Sequence, residues 1–519
     1  MANVTNDAEE LDPVQPYSMH VSSRYLELTK KKLQLTRLPR ELELPEDRRW
    51  EHGTPKAVLE PLLDYWLEKY DWRTQEAHFN SSLPQFRTTV KISPTLGDPA
   101  VASHSLRIHF VHKRSKHNNA IPLVFCHTWP SSFIEVEKVI DALTDPQSLP
   151  SFGAGAQQAF HVVAPSIPGF GFSDASSTEN FGLRETAAMF NGLMEKLGYH
   201  QYVAHGTGWG FRICRALALD HPENCLAVHT TNPTFEEPTL KHSPLAYMKY
   251  RVARLTRAKI PFLSFGYVPA EIVDGSQSEA RALTRGFFHS LRPSRGTMSL
   301  FYSLRPQTLS FSLCDSPVGL LGALLDIIHT RAPSSSPITS RSRSPFLSPA
   351  ELEMQDSHHD RRSHDDQIEP ASSARPEAPF NPLQSEIEAR HYTWSPTELL
   401  NWTMMQWLPG PEASLRWLRC AQLSMSPDSI PSTAYSPILL GISTFRSRHA
   451  SHPPAPLMFG STQWPIAWVK RHQRPATLPA WEAPDLLVLD MRECFGGLVA
   501  QGRLMLRKFP DSETEGGGR

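Results

Sequence analysis

An α/β fold is what this sequence predicts, and three observations carry the prediction. Short apolar runs recur at RIHFVH (107–112), IPLVFCH (121–127) and FHVVAPSIPGFG (160–171). Helix-forming segments at 133–143 and 185–197 alternate with them. A third stretch, YVAHGTGWGFRICR from Tyr202 to Arg215, passes from strand residues through three glycines into helix formers. Short buried strands alternating with helices imply a parallel sheet covered on both faces.

The chain has 519 residues, 40% of them hydrophobic, enough for a substantial core. Its 52 basic and 53 acidic residues nearly cancel, and no basic stripe interleaved with aromatics occurs, so nucleic acid is not an expected partner. Six cysteines (Cys126, Cys214, Cys225, Cys314, Cys420, Cys494) are scattered without metal-ligand spacing or disulfide-like density, which suits a reducing, cytoplasmic setting. The first residues lack a basic start followed by an apolar run, so no signal peptide or amino-terminal anchor is expected. Peripheral membrane association stays open, and the glycosylation triplets at Asn3, Asn80 and Asn401 read as accidental.

In chain order, residues 17 to about 90 read as helical, with Leu26, Leu33 and Leu35 in a lysine-rich helix and LLDYWLEKYDW at 62–72. Gly169-x-Gly171 is followed by Asp174 rather than a third glycine, so a dinucleotide loop is not expected. Cys225–Thr231 reads as another strand, and 240–330 as a long helical region. The apolar run at 318–328 is too brief to cross a bilayer. The Ser-, Pro-, Arg- and His-rich tract at 331–382 cannot bury enough apolar surface to fold, and its His358, His359 and His364 read as solvated rather than metal-binding. Helix resumes from Pro396 to about 422, PLMFG (456–460) reads as a last strand, and PDLLVLDMRECFGGL as the last helix. The expected division is a flexible 1–16, a helical extension 17–100, a first core part 101–235, a helical lid 236–422 around the 331–382 insertion, a last core part 423–505 and a flexible 506–519.

The glycine-rich stretch has the pattern of a nucleophile elbow, Gly-x-nucleophile-x-Gly, whose flanking glycines permit a sharp turn that lifts the central side chain over the sheet. Gly206 and Gly210 flank it, and the centre is Gly208, which has no side chain to attack with. A serine esterase or peptidase is thereby excluded, since no Ser stands at the centre.

Several long motifs in order resemble the microsomal-type epoxide hydrolases. These are TRLP, WEHGTP, LLDYWLEKYDWRTQEAHFN and LPQF near the amino terminus, then HTWPSSFIEVEKVIDALTDP and FHVVAPSIPGFGFSD, then RPQTLSFSLCDSPVGLL (305–321) and TELLNWTMMQWLPGPEASLRW (397–417). The resemblance covers roughly 17–330 and 390–497. It implies an α/β-hydrolase fold with a helical lid and a helical N-terminal extension, no metal or organic cofactor, and a small apolar epoxide or related molecule as partner. In that family an elbow aspartate attacks the epoxide, and a histidine with an acidic partner activates the water that hydrolyses the resulting ester.

Carried onto this sequence, the resemblance places the nucleophile on Gly208, the base on Thr477 and its acidic partner on Arg448. The two lid tyrosines that hold the epoxide oxygen fall near Met298 and Leu418, with Tyr302 close to the first. By contrast His127 and Pro130 keep the ends of the His-Gly-x-Pro turn, with Thr128 in place of its glycine, and the amides of Trp129 and Trp209 would line the oxyanion cavity. Rescue by His205, Thr207 or His472 is not expected, His472 reading as a solvated loop histidine. Two functions follow: an epoxide hydrolase with weakened or relocated chemistry, or a catalytically inactive binding or scaffold protein on the same fold.

Overall fold

The computed structural model describes residues 12–92, 104–149, 157–269, 272, 305–331, 392–425, 434–446 and 456–506. Most of the 331–382 tract lies outside them. Three helices open the chain, α1 (Ser23–Gln34), α2 (Lys56–Glu68) and α3 (Trp72–Ser82), after a two-residue strand β1 (Gln15–Pro16). Asp71 caps α3 by accepting from the backbone N–H groups of Arg73 and Thr74. The helical reading of 17–90 fails at its end, because Gln85–Ile92 is strand β2, paired antiparallel with β3 (His104–Lys113) over eight residue pairs. Pro84 stops the helix pattern, and the β-branched Thr88-Thr89-Val90 suits a pleated surface better.

The central strands are β4 (Ile121–Cys126), β5 (Phe160–Pro165), β6 (Tyr202–Thr207) and β7 (Cys225–Thr231), interleaved with α4 (Glu137–Thr144), α5 (Leu183–Lys196) and α6 (Trp209–Asp220). After β7 come α7 (Pro244–Leu255), α8 (Pro306–Leu313), α9 (Pro317–Arg331), α10 (Pro396–Trp407) and α11 (Pro411–Leu423). The chain closes with β8 (Leu439–Arg446), β9 (Ile466–Pro475), the single turn α12 (Pro479–Glu482) and α13 (Pro484–Ala500). The segment expected as a strand at 456–460 is instead a 3₁₀ turn, Leu457–Thr462. The real edge strand, IAWVKRHQRP, carries charge where an edge meets water, and its sequence therefore lacks a buried strand's apolar run.

Among the described residues nine strands form one sheet in the order β1-β2-β3-β5-β4-β6-β7-β8-β9. From β5 to β9 neighbours run parallel, whereas β1, β2, β3 and β5 pair antiparallel, so the sheet is mixed rather than wholly parallel. Apolar side chains alternate along each strand into two clusters. Leu123, Phe125 and Val203 face α4 and α13, and Val124, Tyr202 and Ala204 face α5 and α6. The amino-terminal helices are stitched to α10 by Tyr65 Oη with Thr397 (2.9 Å), Tyr70 Oη donating to Asn401 (2.8 Å) and Trp407 Nε1 donating to Thr29 (2.8 Å). Asn401 is buried, and the Asn80 amide both accepts from and donates to the Met19 backbone at 2.8 Å, so both amides already have protein partners.

Helix α6 begins one residue after β6 ends, and two glycines make that possible. A Cβ on Gly210 would stand 2.1 Å from the Cys126 carbonyl oxygen at the end of β4. One on Gly206 would stand 2.4 Å from the Gly210 carbonyl carbon. Backbone cannot yield as a flexible side chain does, so Gly210→Ala is expected to cost on the order of 3 kcal/mol or more. Gly497→Ala in α13, whose Cβ meets nothing within 4 Å, should instead be neutral or stabilise by about 0.5–1 kcal/mol. Urea unfolding of the two variants checks the contrast, and equal stabilities would contradict it.

Candidate active site

The apex of the β6–α6 turn is Gly208, with φ 56° and ψ −114°, a conformation that strains any residue with a Cβ. Its flanking positions point into the sheet. Thr207 Oγ1 bonds Thr231 Oγ1 at 2.6 Å, and His205 Nδ1 meets His229 Nδ1 at 3.0 Å. The first helical amide, of Trp209, would be an orphan donor at a positively polarised helix end. It donates to Thr128 Oγ1 at 3.1 Å. Thr128 is fully buried, its own N–H donates to Glu135 Oε2 at 3.0 Å, and its hydroxyl oxygen lies 2.8 Å from where a Cβ on Gly208 would stand. The hydroxyl thus fills the space into which a side chain at 208 would project.

The turn that carries Thr128 is fixed from several sides. His127 is buried and its Nε2 accepts from the Ile167 N–H at 3.1 Å, and burial pushes its pKa down to about 4. Gln406 Nε2 on α10 donates to the Pro130 and Ser131 carbonyls, each at 3.1 Å. Above the elbow, Trp417 of α11 meets Trp209 edge-on with centroids 6.0 Å apart and Phe170 at 5.6 Å. Trp129 and Leu418 are buried in the same apolar cluster. Leu418 offers no hydroxyl there, while Met298, Tyr302 and Arg448 lie outside the described residues.

Thr477 follows β9 and is half-buried, and its N–H donates to Glu482 Oε2 at 2.6 Å, an oxygen that also accepts from the Leu478 N–H at 3.1 Å. A buried carboxylate therefore organises this loop through its backbone. The reading of His472 as a solvated loop residue is overturned. It sits on β9, buried, with Nε2 donating to Asp490 Oδ2 at 2.6 Å. The same oxygen accepts from Ser443 Oγ at 2.6 Å. Ser443 Oγ stands 3.0 Å from His229 Nε2, which continues the row to His205. Five polar side chains thus run in hydrogen-bonded sequence between the sheet and α13, and Lys470 Nζ lies 3.3 Å from the other Asp490 oxygen.

The sequence reading did not single out Asp490, Ser443, Glu135 or Glu482. A lone Asp within the apolar LLVLDM of the last helix was the available signal for the first of them. Burial holds His205 down to about 3 and His229 well below the usual imidazole range, the latter reinforced by its histidine neighbours. These rings stay neutral in the fold, whereas the unfolded chain protonates them below about pH 6.5. Stability is therefore complete above that pH and is lost as pH falls toward 4. Each of His127 and His205 is expected to withdraw up to about 2 kcal/mol by pH 5. Urea midpoints at pH 7.5 and 5 read this, and a midpoint that does not fall would show that the rings are charged in the fold.

Comparison with known proteins agrees with this fold. The family profile described as "Epoxide hydrolase N terminus" matches residues 14–136, and "alpha/beta hydrolase fold" matches 121–297. A Stigmatella aurantiaca (strain DW4/3-1) protein provisionally named an epoxide hydrolase is 34% identical over 306 residues, 59% of this chain and 58% of that protein. "Epoxide hydrolase 1" of Sus scrofa is 28% identical over 327 residues, 62% of this chain and 64% of that protein. The chain thus spans about three fifths of the length of the curated relatives it matches. The crystal structure of juvenile hormone epoxide hydrolase from the silkworm Bombyx mori superposes with a TM-score of 0.59 at 19% identity, covering 95% of both chains, and so shares the fold. With its amino-terminal extension and its elbow at the end of β6, this chain belongs to the epoxide hydrolase family of the α/β-hydrolase fold.

Proposed function

We propose that this chain is a catalytically silent member of its family, a small-molecule binding protein that does not open epoxides through an enzyme ester. The observation that carries the reading is the pairing of Gly208 with Thr128. The apex has no nucleophile, and the amide next to it is held by a buried hydroxyl rather than open to a developing oxyanion. A threonine at 477 cannot take a proton near neutral pH. The aromatic surroundings of Trp129, Trp209, Trp417 and Phe170 suit a small apolar guest. The relatives' names make epoxides and related molecules the class to test.

A site without its nucleophile and base keeps at most roughly 10³–10⁴ over water from binding and oxyanion contacts, and here those contacts are capped as well. The competing reading is an epoxide hydrolase using relocated groups. It gains nothing from His472, which is buried between the sheet and α13, where its Nε2 and Ser443 share one Asp490 oxygen.

The test is diol formation from a panel of aryl and alkyl epoxides. Wild type is expected at the buffer rate. Gly208→Asp/Thr477→His should stay silent, because the new Cβ meets the Thr128 hydroxyl at 2.8 Å. Adding Thr128→Gly should raise turnover by about 10² or more over wild type. Wild-type diol formation above buffer would end the proposal. Equal activity of the double and triple variants would remove Thr128 from it.

A further inference from the structure

A cavity of about 300 Å³ opens between the edge strand β9 and the last turns of α13. It lies far from the elbow. Strands β6 to β9 run parallel, the elbow stands at the carboxyl end of β6, and this cavity stands at the amino end of β9, beside Ala467 and Trp468. Its apolar wall is Trp468, whose ring rests against His229 with centroids 5.8 Å apart, together with Leu498 and Cys494. Gly497 opens the room. It sits inside α13, where glycine weakens a helix, and a Cβ there would meet nothing within 4 Å.

The polar wall is short of positive charge. Glu493 lines the cavity, and Lys470 Nζ stands 2.9 Å from both of its oxygens. The same ammonium lies 3.3 Å from Oδ1 of the fully buried Asp490, so one lysine serves two carboxylates. His472 and Ser443 donate to the other Asp490 oxygen, and neither bonds Glu493. The last turn of α13 adds the negative end of a helix dipole and holds no basic residue. Arg503, the next basic residue, is exposed and does not line the cavity. An aromatic ring, a carboxylate that shares its counter-ion and a helix carboxyl end all favour a cation, and the apolar remainder favours a hydrocarbon body behind it.

We propose that this cavity is a second ligand site, which takes a small organic ammonium ion with an aryl or alkyl body. The ammonium group pairs with Glu493 beside the Trp468 ring, and the body fills the space left by Gly497 against Leu498. Lys470 competes for the same carboxylate and turns toward Asp490 when the ligand is bound. Neutral molecules gain only apolar contact there, and anions are repelled by Glu493. The site shares no residue with the elbow and is independent of whether the elbow turns over a substrate.

Titration calorimetry of the full-length chain with 2-phenylethylammonium at about pH 8, where an alkyl ammonium keeps its charge, tests it. One site is expected, with neutral 2-phenylethanol at least about tenfold weaker and 3-phenylpropionate silent. Glu493→Gln should weaken the ammonium at least about tenfold. Gly497→Leu, which fills the cavity from within a helix, should abolish binding, and Lys470→Gln should tighten it by removing the competing cation. The proposal is overturned if about 10 mM of the ammonium gives neither heat nor a higher urea midpoint. Binding that Gly497→Leu leaves unchanged also overturns it, since the guest is then elsewhere, the elbow included. So does equal affinity for the alcohol, which would leave apolar contact alone. Circular dichroism and the urea midpoint of each ligand-free variant separate loss of the site from loss of fold.

Discussion

The approach of α6 to the end of β4 is the constraint on which the site depends. With the Gly210 backbone against the Cys126 carbonyl, the helix must start immediately after the strand, and the chain can turn only through a residue of positive φ at 208. The same geometry leaves the Trp209 N–H without an intrahelical acceptor at a buried helix end, and a buried donor must find an acceptor. Thr128 supplies it from β4's own continuation, two residues past Cys126. Glycine at 208 and threonine at 128 are then one arrangement: the absence of a side chain at the first makes room for the hydroxyl of the second.

Beneath the sheet, the row from His205 through His229, Ser443 and Asp490 to His472 joins four neighbouring strands to α13. A carboxylate can only accept, so Ser443 and His472 donate to Asp490, and the donor and acceptor roles of the two inner histidines are set in turn. Such a row is favourable only when complete, because one missing partner leaves a buried polar group unpaid in a low-dielectric layer. It gives β8 and β9 a specific lateral position that apolar contacts, which slide easily, would not define.

The amino-terminal helices bind the molecule in another way. Tyr65, Tyr70 and Thr29 reach polar groups of α10, and Trp50 stacks on His329 of α9 with centroids 3.7 Å apart. Through Gln406, α10 holds the Pro130 and Ser131 carbonyls beside the elbow. The extension is thus connected to the turn bearing Thr128 through one intermediate helix.

The alternation of buried runs and amphipathic helices was legible along the chain because side-chain periodicity is local, and so were β4, β5, β7, the elbow and its empty centre. The resumption of helix at Pro396 was legible too, and the structure adds a capping box there between Ser395 and Glu398. Local pattern failed toward the edges: β9 pairs with β8 alone and β2 has only the two-residue β1 on its outer side, so water tolerates their polar residues and their sequences lose the strand signature. It failed also for His472, since whether a histidine is solvated depends on what packs over it, here α13 from residues 18 positions away. The sequence by itself determined that position 208 carries no nucleophile. Only the tertiary structure decided what fills that space, because Thr128 and Gly208 are 80 residues apart and meet solely through the pairing of β4 with β6.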